Sequence, residues 1–155
     1  MDTTATGRQA TGLRQTLARG VVPLGTAGIL VVRVLGAALL LGNGWVHWHL
    51  DDIGYSTVPT IGPLFRLDGV TAVLLAVAVL VTPLPWWRLA CAAGALMQIG
   101  TLAALGLSLT VGVLGFNETL DAPDLVPSVI VESLGFVVLL LGALSRPVAR
   151  EHGRS

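Results

Sequence analysis

The segment GWVHWHLDDIGY, from Gly44 to Tyr55, carries the densest group of chemically versatile side chains in the sequence. It places two histidines, two aspartates, two tryptophans and one tyrosine within twelve residues. Imidazoles and carboxylates bind metal ions and exchange protons near neutral pH. The first question is therefore whether these side chains converge on one metal or redox site.

Helical spacing separates the two histidines of this segment. Asn43, His47 and Asp51 lie on one stripe of a helix because they are four residues apart, whereas His49 lies about 200° from His47. A haem held by two histidines would need them on facing helices, and the later apolar segments contain no histidine. The preferred interpretation is a histidine–aspartate hydrogen bond at a membrane interface.

A mixed zinc site is the alternative for His47, since zinc accepts imidazole together with carboxylates. The available carboxylates are Asp51, Glu118 and Glu132, but no HxxxH or HxxE spacing favours such a site. The sequence therefore predicts no metal, no cofactor and no catalytic residue.

The composition is typical of a polytopic membrane protein. Of 155 residues, 54% are hydrophobic and only 12% are charged, against about 25% charged in a soluble domain. The net charge is zero, which argues against nucleic-acid binding. The single cysteine, Cys91, excludes an intrachain disulfide and CxxC chemistry. All nine basic residues are arginine, a pattern associated with GC-rich bacterial genomes.

Four apolar segments are long enough to cross a bilayer, which needs about 20 residues per helix. They cover about residues 30–48, 63–81, 87–109 and 126–144. The predicted fold is an all-α transmembrane four-helix bundle with up-down-up-down order, because short connections favour antiparallel neighbours. Residues 1–25 are predicted to be a flexible cytoplasmic segment, 26–145 the membrane domain and 146–155 a cytoplasmic tail.

The arginines predict the orientation in the bilayer, since cytoplasmic loops are enriched in them. The arginines expected on one side are Arg8, Arg14, Arg19, Arg33, Arg88, Arg146, Arg150 and Arg154. The opposite side is acidic, and Arg66 is its only arginine. Both termini are therefore expected in the cytoplasm, with the protein crossing the inner membrane of a bacterial cell several times. The lipid bilayer is its first predicted partner.

Other residues complete this prediction. Trp86 and Trp87 are expected in an inner aromatic belt, and Trp45 and Trp48 in an outer one. Arg33 is expected to extend towards the inner headgroups. Gln98 and Thr101 are expected to form hydrogen bonds between helices. The pairs Ala90/Gly94 and Gly100/Ala104 predict close helix packing, within the bundle or in a homo-oligomer.

Ionisable side chains inside the outer half of the spans mark the candidate site. Arg66, Asp68 and Glu132 lie at similar depths, one to two helical turns below the outer surface, and ionisable groups at this depth need partners. An Arg66–Glu132 ion pair is expected, while Asp68 lies about 200° from Arg66 and needs another partner. The full candidate cluster on the outer side is His47, Asp51, Arg66, Asp68, Glu118 and Glu132. It is either a structural ion-pair network or a binding cleft that opens outwards.

Two motifs resemble a group of small four-helix integral membrane proteins of high-GC bacteria. They are GYSTVPTIGPLF, before the second span, and GVLGFNETLDAP, before the last one. The resemblance covers about residues 32–144 and implies fold and location, without a chemistry. DoxX-like proteins share the size and the four-helix plan, which is similarity of architecture alone.

Three functions follow as hypotheses. The first is a non-enzymatic accessory or structural membrane protein, such as a subunit of a membrane complex, because no nucleophile–base pair, P-loop or cysteine pair is present. The second is binding or transport of a small ligand or ion through the outer polar cleft. The third is a DoxX-like redox helper.

Overall fold

The fold is helical, as the sequence predicts. The computed structural model describes residues 21–147. Residues 1–20 of the predicted N-terminal segment and 148–155 of the predicted tail lie outside this described part. Within it are four helices, each long and apolar enough to span a membrane: α1 Thr26–Ile53, α2 Ile61–Val81, α3 Leu84–Ser108 and α4 Leu125–Ala143. The four helices therefore agree with the predicted multi-pass membrane protein in number, length and composition.

Local sequence explains where several helices begin and end. Gly54 ends α1 with φ of 150°, a conformation that residues with a side chain rarely adopt. Pro83 precedes α3 and Pro85 lies in its first turn, where proline has no hydrogen bond to lose. A single 3-10 turn, Tyr55–Thr57, lies in the connection between α1 and α2.

Two short strands join the ends of the described chain. β1 (Val22–Leu24) and β2 (Ser145–Pro147) pair in parallel, and the amides of Val21 and Val22 donate to the Leu144 carbonyl at 2.8 and 3.0 Å. Arg88, near the start of α3, donates from Nε to the Ala143 carbonyl at 2.9 Å. The starts of α1 and α3 therefore lie beside the end of α4.

Arg33 in α1 joins the same end of the bundle to α2. Its guanidinium donates to the backbone carbonyls of Val79 at 3.0 Å and Thr82 at 2.6 Å, and also to that of Leu80. It also lies 5.3 Å from the ring centre of Trp87. The extension of Arg33 towards the headgroups stays a prediction, and the structure adds that unpaired carbonyls at the end of α2 accept hydrogen bonds from its guanidinium.

Burial divides the tryptophans differently from the prediction. Trp87 is 0% exposed, so its assignment to an inner aromatic belt is wrong. It belongs to the core with Leu40, Val79, Cys91 and Leu139, all fully buried. Trp45, Trp48 and Trp86 are exposed, as expected for belt residues.

Small residues allow two of the helices to come close at the level of the candidate site. A Cβ atom added to Gly44 of α1 would lie 3.0 Å from Ala72 Cβ and 3.2 Å from the Gly69 carbonyl oxygen, both in α2. By contrast, a Cβ at Gly100 of α3 would meet nothing within 4 Å. The predicted small pair at Gly100 and Ala104 therefore has no close packing partner within the described chain.

Candidate functional site

A cavity of about 360 Å³ lies near the end of the bundle at which Tyr55 and the α3–α4 loop meet. This volume is within the usual range for small-molecule pockets, about 300–1,000 Å³. Its walls come from all four helices, and its lining is mostly apolar. The polar or ionisable side chains that line it are His47, Tyr55, Asp68, Thr71, Thr101, Ser108, Glu118, Ser128 and Glu132.

The first wall of this pocket is a polar contact between α1 and α2. His47 Nδ1 lies 3.0 Å from the Asn43 carbonyl oxygen and 3.2 Å from Asp68 Oδ2. The Asn43 amide donates to the same Asp68 oxygen at 3.2 Å. Both neighbours of His47 Nδ1 are acceptors, so we assign the ring hydrogen to Nδ1. The close approach of α1 and α2 at Gly44 brings these side chains within hydrogen-bonding distance.

Glu132 of α4 forms the opposite wall. The residue is 2% exposed, and its Oε2 atom has no hydrogen-bond partner within residues 21–147. Thr101 of α3 lies against it, and Asp68 is close enough to interact electrostatically. Buried polar atoms are almost always paired, so an unpaired carboxylate oxygen in a pocket wall needs an explanation.

Tyr55 and Glu118 close the pocket on the loop side. The Tyr55 hydroxyl donates to Glu118 Oε2 at 2.6 Å, while the amide of Thr119 donates to Glu118 Oε1 at 3.0 Å. The Tyr55 ring stacks on Phe65 with 5.3 Å between ring centres and meets Phe116 edge-on at 5.7 Å. Burial and then the bond to the Glu118 carboxylate raise the pKa of Tyr55 far above its usual value.

Arg66 and Asp51 form a separate ion pair outside the pocket lining. Arg66 Nε donates to Asp51 Oδ2 at 2.8 Å, with the Arg66 side chain 58% exposed and that of Asp51 11% exposed. The expected Arg66–Glu132 pair is therefore wrong. Arg66 reaches the acidic end of the α1 stripe instead, because its side chain leaves α2 on the exposed side, away from Glu132.

His49 faces another environment from His47, as the helical spacing predicts. Its Nε2 lies 3.6 Å from Asp124 Oδ2, and its ring stacks on Trp45 at 5.3 Å between centres. Asp124 immediately precedes α4 and has a left-handed φ of 55°. The two histidines therefore do not share one site.

No known protein family, curated protein or solved structure matches the chain.

The pocket is lined by four of the six residues in the predicted outer-side cluster. His47, Asp68, Glu118 and Glu132 line it, whereas Asp51 and Arg66 do not. Among residues 21–147, no group of three or more histidine, cysteine, aspartate or glutamate side chains is arranged to hold a metal ion.

Several lining residues were missed by sequence reasoning. Tyr55 and Phe65 could have been suspected, because both flank the polar segment after α1.

Thr101 was expected to bond between helices, but its hydroxyl donates to the Gln98 carbonyl of its own helix at 3.0 Å. Gln98 is fully buried, and its side-chain amide has no hydrogen-bond partner in the described chain. The expectation of an interhelical bond is therefore wrong for Gln98, whereas the Thr101 hydroxyl also lies within hydrogen-bonding reach of Glu132 in α4.

Proposed function

We propose that this membrane protein binds a small, mostly apolar molecule in the pocket between Glu132 and the Tyr55–Glu118 contact. The observation that carries the proposal is the buried, unpaired carboxylate oxygen of Glu132 in a pocket wall. Burying such a group without a partner is costly. A bound ligand that donates a hydrogen bond would remove this cost.

The lining supports this function over that of an accessory protein without a site of its own. In the ion pair outside the pocket, one Asp51 oxygen accepts from Arg66 at 2.8 Å, although the other Asp51 oxygen is buried without a partner. Within residues 21–147, Glu132 forms no ion pair with an arginine or histidine. Apolar walls with a few convergent polar groups are the usual composition of a small-molecule site.

We further propose that the helices alternate in direction and that both termini face the cytoplasm of a bacterial cell. Support comes from the contacts of Arg33 with the end of α2 and of Arg88 with the end of α4. These arginines would then share the cytoplasmic side, in agreement with the positive-inside rule. Alkaline phosphatase, which is active only outside the cytoplasm, should be active when fused after Asp121 and inactive when fused after Ser155. The reverse pattern would overturn the orientation.

The binding function is tested with purified protein and two probes, phenylbutylamine and phenylbutanol, by isothermal titration calorimetry. Ala104 lines the pocket and its neighbour Ala103 does not. At least one probe should bind the wild type at a single site. Ala104→Phe, which fills the pocket, should abolish that binding, while Ala103→Phe should retain it. Size-exclusion chromatography checks that both variants are folded. The proposal fails if neither probe binds, or if both variants bind equally well.

A further inference from the structure

The hydrogen-bond donors of the pocket lining are already engaged within the protein. Tyr55 donates to Glu118, Ser108 to the Leu105 carbonyl at 2.7 Å and Ser128 to the Asp124 carbonyl at 2.7 Å. Two further hydroxyls, those of Thr71 and Thr101, donate to carbonyls of their own helices at 2.8 and 3.0 Å. The Thr101 hydroxyl also lies close to Glu132. Whether it donates to the Gln98 carbonyl or to Glu132, its hydrogen is bound within the protein. The hydroxyls therefore offer a ligand mainly lone pairs.

The nitrogen atoms of the lining follow the same rule. His47 is the only side chain with nitrogen among the described residues that line the pocket. Its Nδ1 hydrogen lies between the Asn43 carbonyl and Asp68, so in the neutral ring Nε2 is an acceptor. No arginine, asparagine, glutamine or tryptophan of residues 21–147 lines the cavity, and the chain has no lysine.

The remaining polar groups are the carboxyl groups of Asp68, Glu118 and Glu132. Asp68 uses Oδ2 for both Asn43 and His47, which leaves Oδ1 for a ligand. Glu132 has its unpaired Oε2. Glu118 is occupied on both oxygens, by Tyr55 and the Thr119 amide. The free acceptors thus concentrate between Asp68 and Glu132, on opposite walls, with aromatic rings on the loop side.

We infer that the ligand class of this pocket is a lipophilic ammonium cation, whose N–H groups contact Asp68 and Glu132 and whose apolar part contacts Phe65 and Phe116. This inference rests on the proposed binding function. A protonated amine supplies both the donors and the positive charge that the lining lacks, and bonds between two charged groups are the stronger ones. An anion would meet carboxylates, and a ketone or quinone would offer only acceptors to acceptors.

A matched series of four probes tests the ligand class. Phenylbutylamine is a cation at pH 7, because alkylamines have a pKa near that of lysine, about 10.4. Phenylbutanol is a neutral donor and acceptor, phenylbutanone a neutral acceptor and phenylbutanoate an anion. The amine should bind roughly tenfold or more tightly than the alcohol, in keeping with the strength of charged hydrogen bonds. The ketone and the carboxylate should bind more weakly still.

Variants of the pocket test whether the amine contacts Glu132. Glu132→Gln should weaken amine binding roughly tenfold or more and leave alcohol binding nearly unchanged. Asp121→Asn is the charge-matched control, since Asp121 is exposed and outside the pocket, and it should bind the amine as the wild type does. Should Glu132→Gln fail to fold, Ser128→Ala tests the same wall without removing charge and should retain the preference for the amine.

The outcomes separate the two proposals. Binding of the alcohol or ketone as tightly as the amine, with loss in Ala104→Phe, would overturn the cation and keep the pocket. Tighter binding of the carboxylate would also overturn the cation. Absence of binding by both the amine and the alcohol would overturn the pocket function itself.

Discussion

His47 Nδ1 lies 3.2 Å from Asp68 Oδ2, and this contact joins the polar stripe of α1 to the pocket wall on α2. It depends on the close approach of the two helices at Gly44. The same Asp68 oxygen also accepts from Asn43 at 3.2 Å. One carboxylate thus pairs two buried polar side chains of α1 and keeps its second oxygen available to the cavity.

Removal of the Asp68 carboxylate should destabilise the bundle. Asp68→Ala leaves the buried Asn43 amide without its acceptor and His47 with only the backbone carbonyl. An unsatisfied buried donor costs about 1–3 kcal/mol, so the thermal unfolding temperature in detergent should fall. Asp52→Ala is the control, because Asp52 is exposed. Equal unfolding temperatures for the two variants would contradict this role.

Replacement of Arg33 by lysine should lower the stability of the protein. Its guanidinium reaches several carbonyls at the end of α2 and also lies over Trp87, and a lysine ammonium lacks the planar fork that makes this possible. Arg33→Lys should lower the free energy of unfolding by about 1–3 kcal/mol. Denaturant titration with Arg146→Lys, at an exposed arginine, provides the comparison. A loss of equal size in both variants would count against the contacts.

Gly44→Ala should be destabilising because its new Cβ would lie 3.0 Å from Ala72 Cβ and 3.2 Å from a backbone oxygen. Overpacking of this kind costs about 1–3 kcal/mol. The matched change Gly100→Ala meets open space and should be neutral or stabilising by up to about 1 kcal/mol, since alanine favours helix. Thermal unfolding of both variants measures the difference, and the opposite order would refute the close approach.

Tyr55 should ionise only at high pH. Burial and its bond to Glu118 raise its pKa, so the phenol stays neutral beyond the usual value of about 10. The chain contains one tyrosine, so the tyrosinate absorbance reports this residue alone. Glu118→Gln should shift the titration to lower pH, towards the ordinary value.

The raised pKa of Tyr55 also makes the folding stability depend on pH. Because the pKa of Tyr55 is higher in the folded than in the unfolded state, the neutral phenol contributes fully to folding stability below about pH 10. This contribution is lost as pH rises towards the folded-state pKa. Tyr55→Phe should therefore lose stability less steeply above that pH than the wild type does. Parallel alkaline unfolding curves for the two proteins would contradict the shift.

The helical fold and the positions of the spans could be predicted from local sequence patterns. Helix periodicity separated His47 from His49 and placed Asn43, His47 and Asp51 on one face, because 3.6 residues per turn is a local property. Hydropathy located the four spans for the same reason, since each helix satisfies its own backbone within the bilayer.

The partners of the ionisable groups were decided only by the tertiary structure. The depths predicted from the sequence suggested an ion pair between Arg66 and Glu132. Instead, Arg66 binds Asp51 at 2.8 Å, and Glu132 Oε2 has no hydrogen-bond partner in the described chain. Likewise, the contacts of Arg33 with the backbone carbonyls at the end of α2 were not predicted from the sequence. Depth along a helix follows from the sequence, but the rotation and separation of neighbouring helices depend on side-chain packing between them. That packing leaves a cavity lined by both Asp68 and Glu132, with no arginine of residues 21–147 in its lining.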